Sequence, residues 1–147
     1  MIATTNRVLA DWNALLNHVA RHYEVARRGD DWLQLVWTFP TDEGEPLAQV
    51  LEITRAQALG GTFVRLLARV VDRRALDANA ALRLNFSLVV GHLAHHDDAV
   101  VLMHYLPLPA AAGELDRALE LVPHEAARLR HTLTASVPHV VLGEYAD

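Results

Sequence analysis

The sequence predicts an α+β domain of two layers, an antiparallel sheet with helices packed on one side. Apolar residues recur at three- and four-residue steps near both ends of the chain, and they alternate at every second position through its middle. Clusters of turn formers join the alternating runs, which is the pattern of hairpins rather than of parallel crossovers. The predicted order is α-β-β-β-α-β-β-α in one domain over residues 1–147, with 138–147 as a docked C-terminal tail.

Each element has its own signal. Over residues 5–28, Val8, Trp12, Leu15, Val19 and Tyr23 form one apolar stripe, so the spacing predicts a single helix, with Thr4 or Thr5 as N-cap, Arg27 and Arg28 at its negative end and Gly29 just beyond it. Residues 31–39 switch to period two, with Leu33, Leu35, Trp37 and Phe39 on one face and Gln34 and Thr38 on the other. After the turn-rich 40–46, residues 47–54 resume the alternation through Leu47, Leu51 and Ile53, which predicts a hairpin. A third strand over 62–71 follows Gly60-Gly61, with Phe63, Arg65, Leu67 and Arg69 on one face and Val64, Leu66, Ala68 and Val70 on the other, although its leucine and arginine content would also suit a helix. Asp72 is placed to cap a short helix over 73–84 that Asn85 ends. Strands over 86–95 and 99–106 meet at Asp97-Asp98, a register that sets Leu93 opposite Leu102, Gly91 opposite His104 and Val90 opposite Tyr105. The last helix covers 114–137 on the stripe Leu115, Leu119, Val122, Ala126, Leu129 and Leu133, and Pro123 predicts a kink or a break inside it.

Composition narrows the function classes. The chain has 147 residues, 52% of them hydrophobic, with no cysteine and a formal net charge of -5. At about this length a fold buries roughly 68–70% of the surface its unfolded chain exposes, so no disulfide or structural metal is required. Thiolate chemistry is excluded, and an acidic balance disfavours a nucleic-acid partner, which demands clustered positive charge. No apolar run reaches the ~20 residues that span a bilayer, and the first residues do not read as a signal peptide, so a cytoplasmic protein is expected.

Few clusters suggest chemistry. His92, His95, His96, Asp97 and Asp98, with His104 across the hairpin, are metal-ligand types, but strand alternation turns His95 away from His92 and His96, and a tight turn favours aspartate in any case. His18 and His22 share the i, i+4 spacing of a zinc-binding helix without the glutamate such a motif carries, and a solvated helix face is the plainer reading. Neither of the two serines, Ser87 and Ser136, sits in a Gly-x-Ser-x-Gly setting. Asp30-Asp31 and Glu43-Glu45 read as loop carboxylates, and Gly60-Gly61 lacks the lysine of a phosphate loop. Arg65 and Arg69 share a strand face, suited to an anion or to Glu52.

Residues 80–108 carry a resemblance. The helix end Ala81, Leu82 and Asn85, the strand glycine Gly91, the small apolar step Leu93-Ala94, the acidic turn Asp97-Asp98 and the exit Leu106-Pro107-Leu108 resemble the type III secretion chaperone-like superfamily, which includes the Tir-chaperone family and the YbjN-like bacterial proteins. The resemblance implies a homodimer with no catalysis and no cofactor. In the secretion branch it implies a chaperone holding an extended segment of a secreted effector, its backbone added to a sheet edge; in the YbjN-like branch it implies a regulatory or sensory protein of undefined ligand. On that reading the candidate partner-binding residues are Leu33, Leu35, Trp37, Leu47, Leu51 and Ile53 on an outer sheet face, the alternative for the same six being burial beneath the first and last helices. The candidate dimer-interface residues are Leu84, Phe86, Leu88, Val90, Met103 and Tyr105. A small protein binding a metal or ligand through the histidine-rich hairpin is the rival reading.

Overall fold

The computed structural model describes residues 7–40 and 44–136, the side chains of 134–136 excepted, so Thr4, Thr5, Glu43 and the tail lie outside the described residues. In chain order the elements are β1 (Val8–Leu9), α1 (Trp12–His22), β2 (Val25–Arg28), β3 (Trp32–Phe39), β4 (Leu47–Ala58), β5 (Gly61–Asp72), α2 (Ala78–Leu84), β6 (His92–His96), β7 (Ala99–Pro107), β8 (Ala110–Ala111) and α3 (Ala112–Ser136). Six strands form an antiparallel sheet in the order β2-β3-β4-β5-β7-β6, and β1 pairs separately with β8. The fold is α+β, as its alternating and helical periods predict.

Parity along the strands decides the two faces. Leu33, Leu35, Leu51, Ile53, Val64, Leu66, Ala68 and Leu102 all turn to one side and are buried there with Trp12, Leu15 and Val19 of α1 and Leu115, Leu119, Val122 and Leu129 of α3. Both long helices therefore cover the same face, where their apolar stripes meet those strand residues. Of the two readings of Leu33, Leu35, Trp37, Leu47, Leu51 and Ile53, this corrects the outer partner-binding surface and bears out burial beneath the helices. Leu33, Leu35, Leu51 and Ile53 are core residues at 0–1% exposure, and Trp37 and Leu47 are half-buried beside them.

The N-terminal helix is shorter than its apolar spacing predicts. Asp11 caps it, its Oδ1 accepting the Ala14 N–H at 2.9 Å, and the chain becomes extended at Tyr23. Tyr23 and Val25 are two apart, and Val25 enters the sheet opposite Leu35 with its side chain on the core. Edge pairing with β3 thus overrides helix propensity over 25–28, and Gly29 lies in the β2–β3 turn, its N–H bonded to Trp32 O, instead of closing a helix.

The connection after β5 is also rebuilt. Asp72 caps a single 3-10 turn at Arg73–Ala75, and Asp77 caps α2, accepting from Ala80 N at 2.8 Å. Phe86, Leu88 and Val90 do not belong to a strand. Asn85–Ser87 is a 3-10 turn, and pairing with β7 begins only at His92, opposite Met103. Leu93 does face Leu102, and Asp97-Asp98 make the turn, with Asp97 at φ +54°. Gly91 stands at φ +71°, where a Cβ would lie 2.5 Å from Met103 O, so this position takes both a left-handed backbone and a close approach of two chains.

Of the kink or break expected at Pro123, the break does not occur: α3 is one helix over Ala112–Ser136. The proline removes one backbone bond at a cost of about 3 kcal/mol in an unsupported helix. Here Leu119, Val122 and Ala126 are buried on both sides of it, so packing offsets that cost and the helix continues through the proline.

Candidate functional site

Exposed large apolar side chains gather on one short segment. Leu82 is 62% exposed, Phe86 96% and Val89 84%, while Leu84, Leu88 and Val90 between them lean on the core. Local bonds hold the segment in this shape. Asn85 Oδ1 accepts the Leu93 N–H at 2.6 Å and its Nδ2 reaches Leu93 O at 3.5 Å, so one side chain bonds both backbone groups of Leu93 in β6. Ser87 Oγ donates to Leu84 O at 2.8 Å, and Val89 N–H reaches Glu125 Oε2 at 3.4 Å. The Arg128 guanidinium bonded to Glu125 outweighs its burial and holds that carboxyl below the usual glutamate range. The apolar side chains are thus displayed on a fastened scaffold.

Of the other candidate interface residues, Met103 and Tyr105 lie on β7 and face away from the helices, Tyr105 at 42% exposure and ring-stacked on His92. The turn at 85–87 removes Phe86 from the strand alignment expected beside them.

The histidines are divided, not gathered. His95 faces the core side and bonds Leu76 O at 2.9 Å, whereas His92 and His96 face the other way. His104 is partly buried on the core side, and burial, then the charge of His92, lowers its pKa. Among the described residues no group of three histidine or carboxylate side chains comes together in a geometry that holds a metal ion.

His18 departs from expectation. It is fully buried, not on a solvated face, and its Nε2 meets Asp116 Oδ1 at 2.8 Å. A carboxylate only accepts, so the ring proton is on Nε2. Tyr23 donates its hydroxyl to the same oxygen at 2.9 Å, and burial, then the bond and charge of Asp116, raise its pKa. The triangle His18–Asp116–Tyr23 ties α1 to α3 and keeps the phenol protonated. No sequence motif announced it; the nearest signal was His18 beside the stripe Leu15 and Val19.

The remaining polar candidates also act as fastenings. Asp31 pairs with Arg55 at 3.1 Å, and Asp30 O accepts from Trp12 Nε1 at 2.9 Å, at the rim of an open cleft of about 510 Å³ lined by mixed charges. Arg69 pairs with Asp98 at 3.3 Å, while Glu52 accepts from Thr54. Arg130 is buried with Gln49, whose amide donates to Arg69 O. No protein-family model matches the chain, and no curated protein matches it.

Proposed function

We propose that this chain is a non-enzymatic, homodimeric protein-binding module of the kind its 80–108 segment resembles, one that holds an extended segment of a partner protein. The observation that carries the reading is the display of Leu82, Phe86 and Val89 on a segment fastened at both ends. Solvent-facing apolar side chains clustered on a rigid support mark a surface that another protein covers. The polar groups support the same reading: His18, Asp116, Tyr23, His95 and Glu125 are each bonded to another element of the fold and serve to hold elements together.

The test is the mass of the particle in solution by light scattering after size exclusion. The wild-type chain runs as a dimer at micromolar concentration, and Phe86→Glu, at a side chain that packs on nothing within its own chain, runs as a folded monomer. A wild-type monomer, or a Phe86→Glu dimer of unchanged stability, refutes the dimer. Co-purification then separates the branches: a partner held by an extended segment supports the chaperone branch, and a homodimer alone supports a regulatory one.

A further inference from the structure

The exposed face of α2 runs on past the end of the helix. Leu82 and Phe86 are four positions apart and Arg83 and Phe86 three, so with the 3-10 turn at Asn85–Ser87 these side chains share one outward face, apolar with a basic rim. Arg83 is exposed and makes no ion pair among the described residues. Beyond Val89 stands α3, where Glu125 accepts the Val89 N–H and Leu121, one turn earlier on the same flank, is 39% exposed. The apolar patch therefore extends from α2 across Val89 to α3.

The end of α3 lies where α2 begins. The register of β4 with β5 sets the start of one strand beside the end of the other. Arg130, in the last turns of α3, bonds Ala48 O at the start of β4, and Asp72 at the end of β5 leads into α2. From Glu125 to Ser136 the helix axis advances about 16 Å. Residues 137–147, extended at about 3.3 Å each, reach roughly 36 Å, twice what a return from Ser136 to Val89 requires. Pro138 disfavours helix at the residue before it, so the chain can leave the axis there. Val140, Val141 and Leu142 then precede Glu144, an apolar run with an acidic rim that complements the apolar patch and its arginine.

We propose that residues 137–147 fold back beside α3 as a strap over Leu82, Phe86 and Val89, with Val140, Val141 and Leu142 on the apolar side chains and Glu144 toward Arg83. A segment tied to the helix end meets the patch at an effective concentration of about millimolar, far above that of a second copy at micromolar. The strap competes with anything else that covers the patch, and the apparent Kd of that partner rises as the fraction of open chains falls. The inference rests on the binding-module reading and gives its surface a regulator within the same chain.

A nitroxide on Ala146→Cys tests the strap in the full chain, which has no other thiol. Isotope-labelled, spin-labelled chain is diluted into an excess of unlabelled chain without the nitroxide, so that only contacts within one chain broaden its amide signals. The amides of Leu82, Phe86 and Val89 then relax faster than those of Val36 and Val50 on the far sheet face by about threefold or more. Val141→Asp with Leu142→Asp, outside the described fold, brings the two sets level, and Arg83→Glu narrows the gap. Equal broadening of the two sets in the wild type, or a difference that the tail variant leaves unchanged, overturns the inference. Broadening that vanishes on dilution places the strap of a second copy on the patch and overturns it equally. The tail variant also dimerises about threefold more tightly than the wild type, and a dimer of unchanged affinity overturns the competition. Amide broadening reports the strap whatever the oligomeric mass, while a chain that scatters as a monomer with and without the tail substitutions fails the dimer reading alone.

Discussion

Asn85→Ala isolates the bonds that Asn85 makes to β6. The substitution leaves the helical backbone at this position, φ -57°, undisturbed. It removes the acceptor of the Leu93 N–H, in a residue only 4% exposed, and a longer bond to Leu93 O. A buried donor left without its partner costs about 1–3 kcal/mol, and the longer bond adds little, so the expected loss is about 2 kcal/mol. For a domain of this size that lowers Tm by ~4–8 °C. Urea unfolding followed by circular dichroism measures the loss, and amide hydrogen exchange at Leu93 locates it. Asn85→Asp keeps the oxygen that makes the 2.6 Å bond and loses only the weaker donor, so at neutral pH it recovers most of the stability. A stability change under about 0.5 kcal/mol for Asn85→Ala, or an Asp variant no better than the Ala variant, would show that the side chain does not hold Leu93 as described.

Two further expectations follow from particular contacts. Gly91→Ala meets both a left-handed backbone, costing about 1–2 kcal/mol, and the Met103 carbonyl 2.5 Å from the new Cβ, whereas Gly60→Ala at φ +77° meets open space and only the backbone cost. Denaturant midpoints of the two variants therefore differ, with Gly91→Ala the less stable, and equal midpoints refute the close approach. The Glu125 carboxyl titrates lower in the folded chain than in the unfolded one, so its contribution is present above the ordinary glutamate pKa and is lost as pH falls through the depressed folded value. Exchange at the Val89 amide, corrected for intrinsic rate, rises over that acidic window in the wild type and is already high at neutral pH in Glu125→Gln; a wild-type profile flat through the window refutes the coupling.

The sequence was most readable where one physical requirement acted alone. Alternation in β3, β4 and β5 identified the strands and the pairing of faces because one side of each is buried under helices. Asp97-Asp98 located its turn because aspartate tolerates φ +54° better than most residues with a side chain. Which side the helices cover was not readable: both parities of β3–β5 contain apolar residues, and the decision falls to α1 and α3, whose stripes need the face with Leu33, Leu51 and Leu66. Val25–Arg28 looked helical because the stripe runs on to Tyr23 and Arg27, Arg28 and Gly29 read as a helix end, and only the hydrogen bonds of β3 decide otherwise. His18 and Asp116 are 98 positions apart, so their pairing has no local signature. The segment 86–91 read as strand from its Phe, Val and Leu content, while Asn85 and Gly91, each a single residue, redirect the backbone.

The small β1–β8 pair bears on the order of assembly. Val8 pairs with Ala111, and Ala112 N–H bonds Arg7 O at 2.7 Å, which joins the first described residues to the start of α3. During synthesis β1 and α1 leave the ribosome first, yet their partners on β8 and α3 are made about 100 residues later. Until then Trp12, Leu15 and Val19 have the sheet residues of their core cluster but not Leu115, Leu119 and Val122 of α3. The sheet and α1 therefore wait on the last helix, and consolidation is a late event that closes both ends of the chain together. A ribosome-stalled chain ending at Pro107 is accordingly expected to stay open to protease, and one that includes all of α3 to become resistant in a single step.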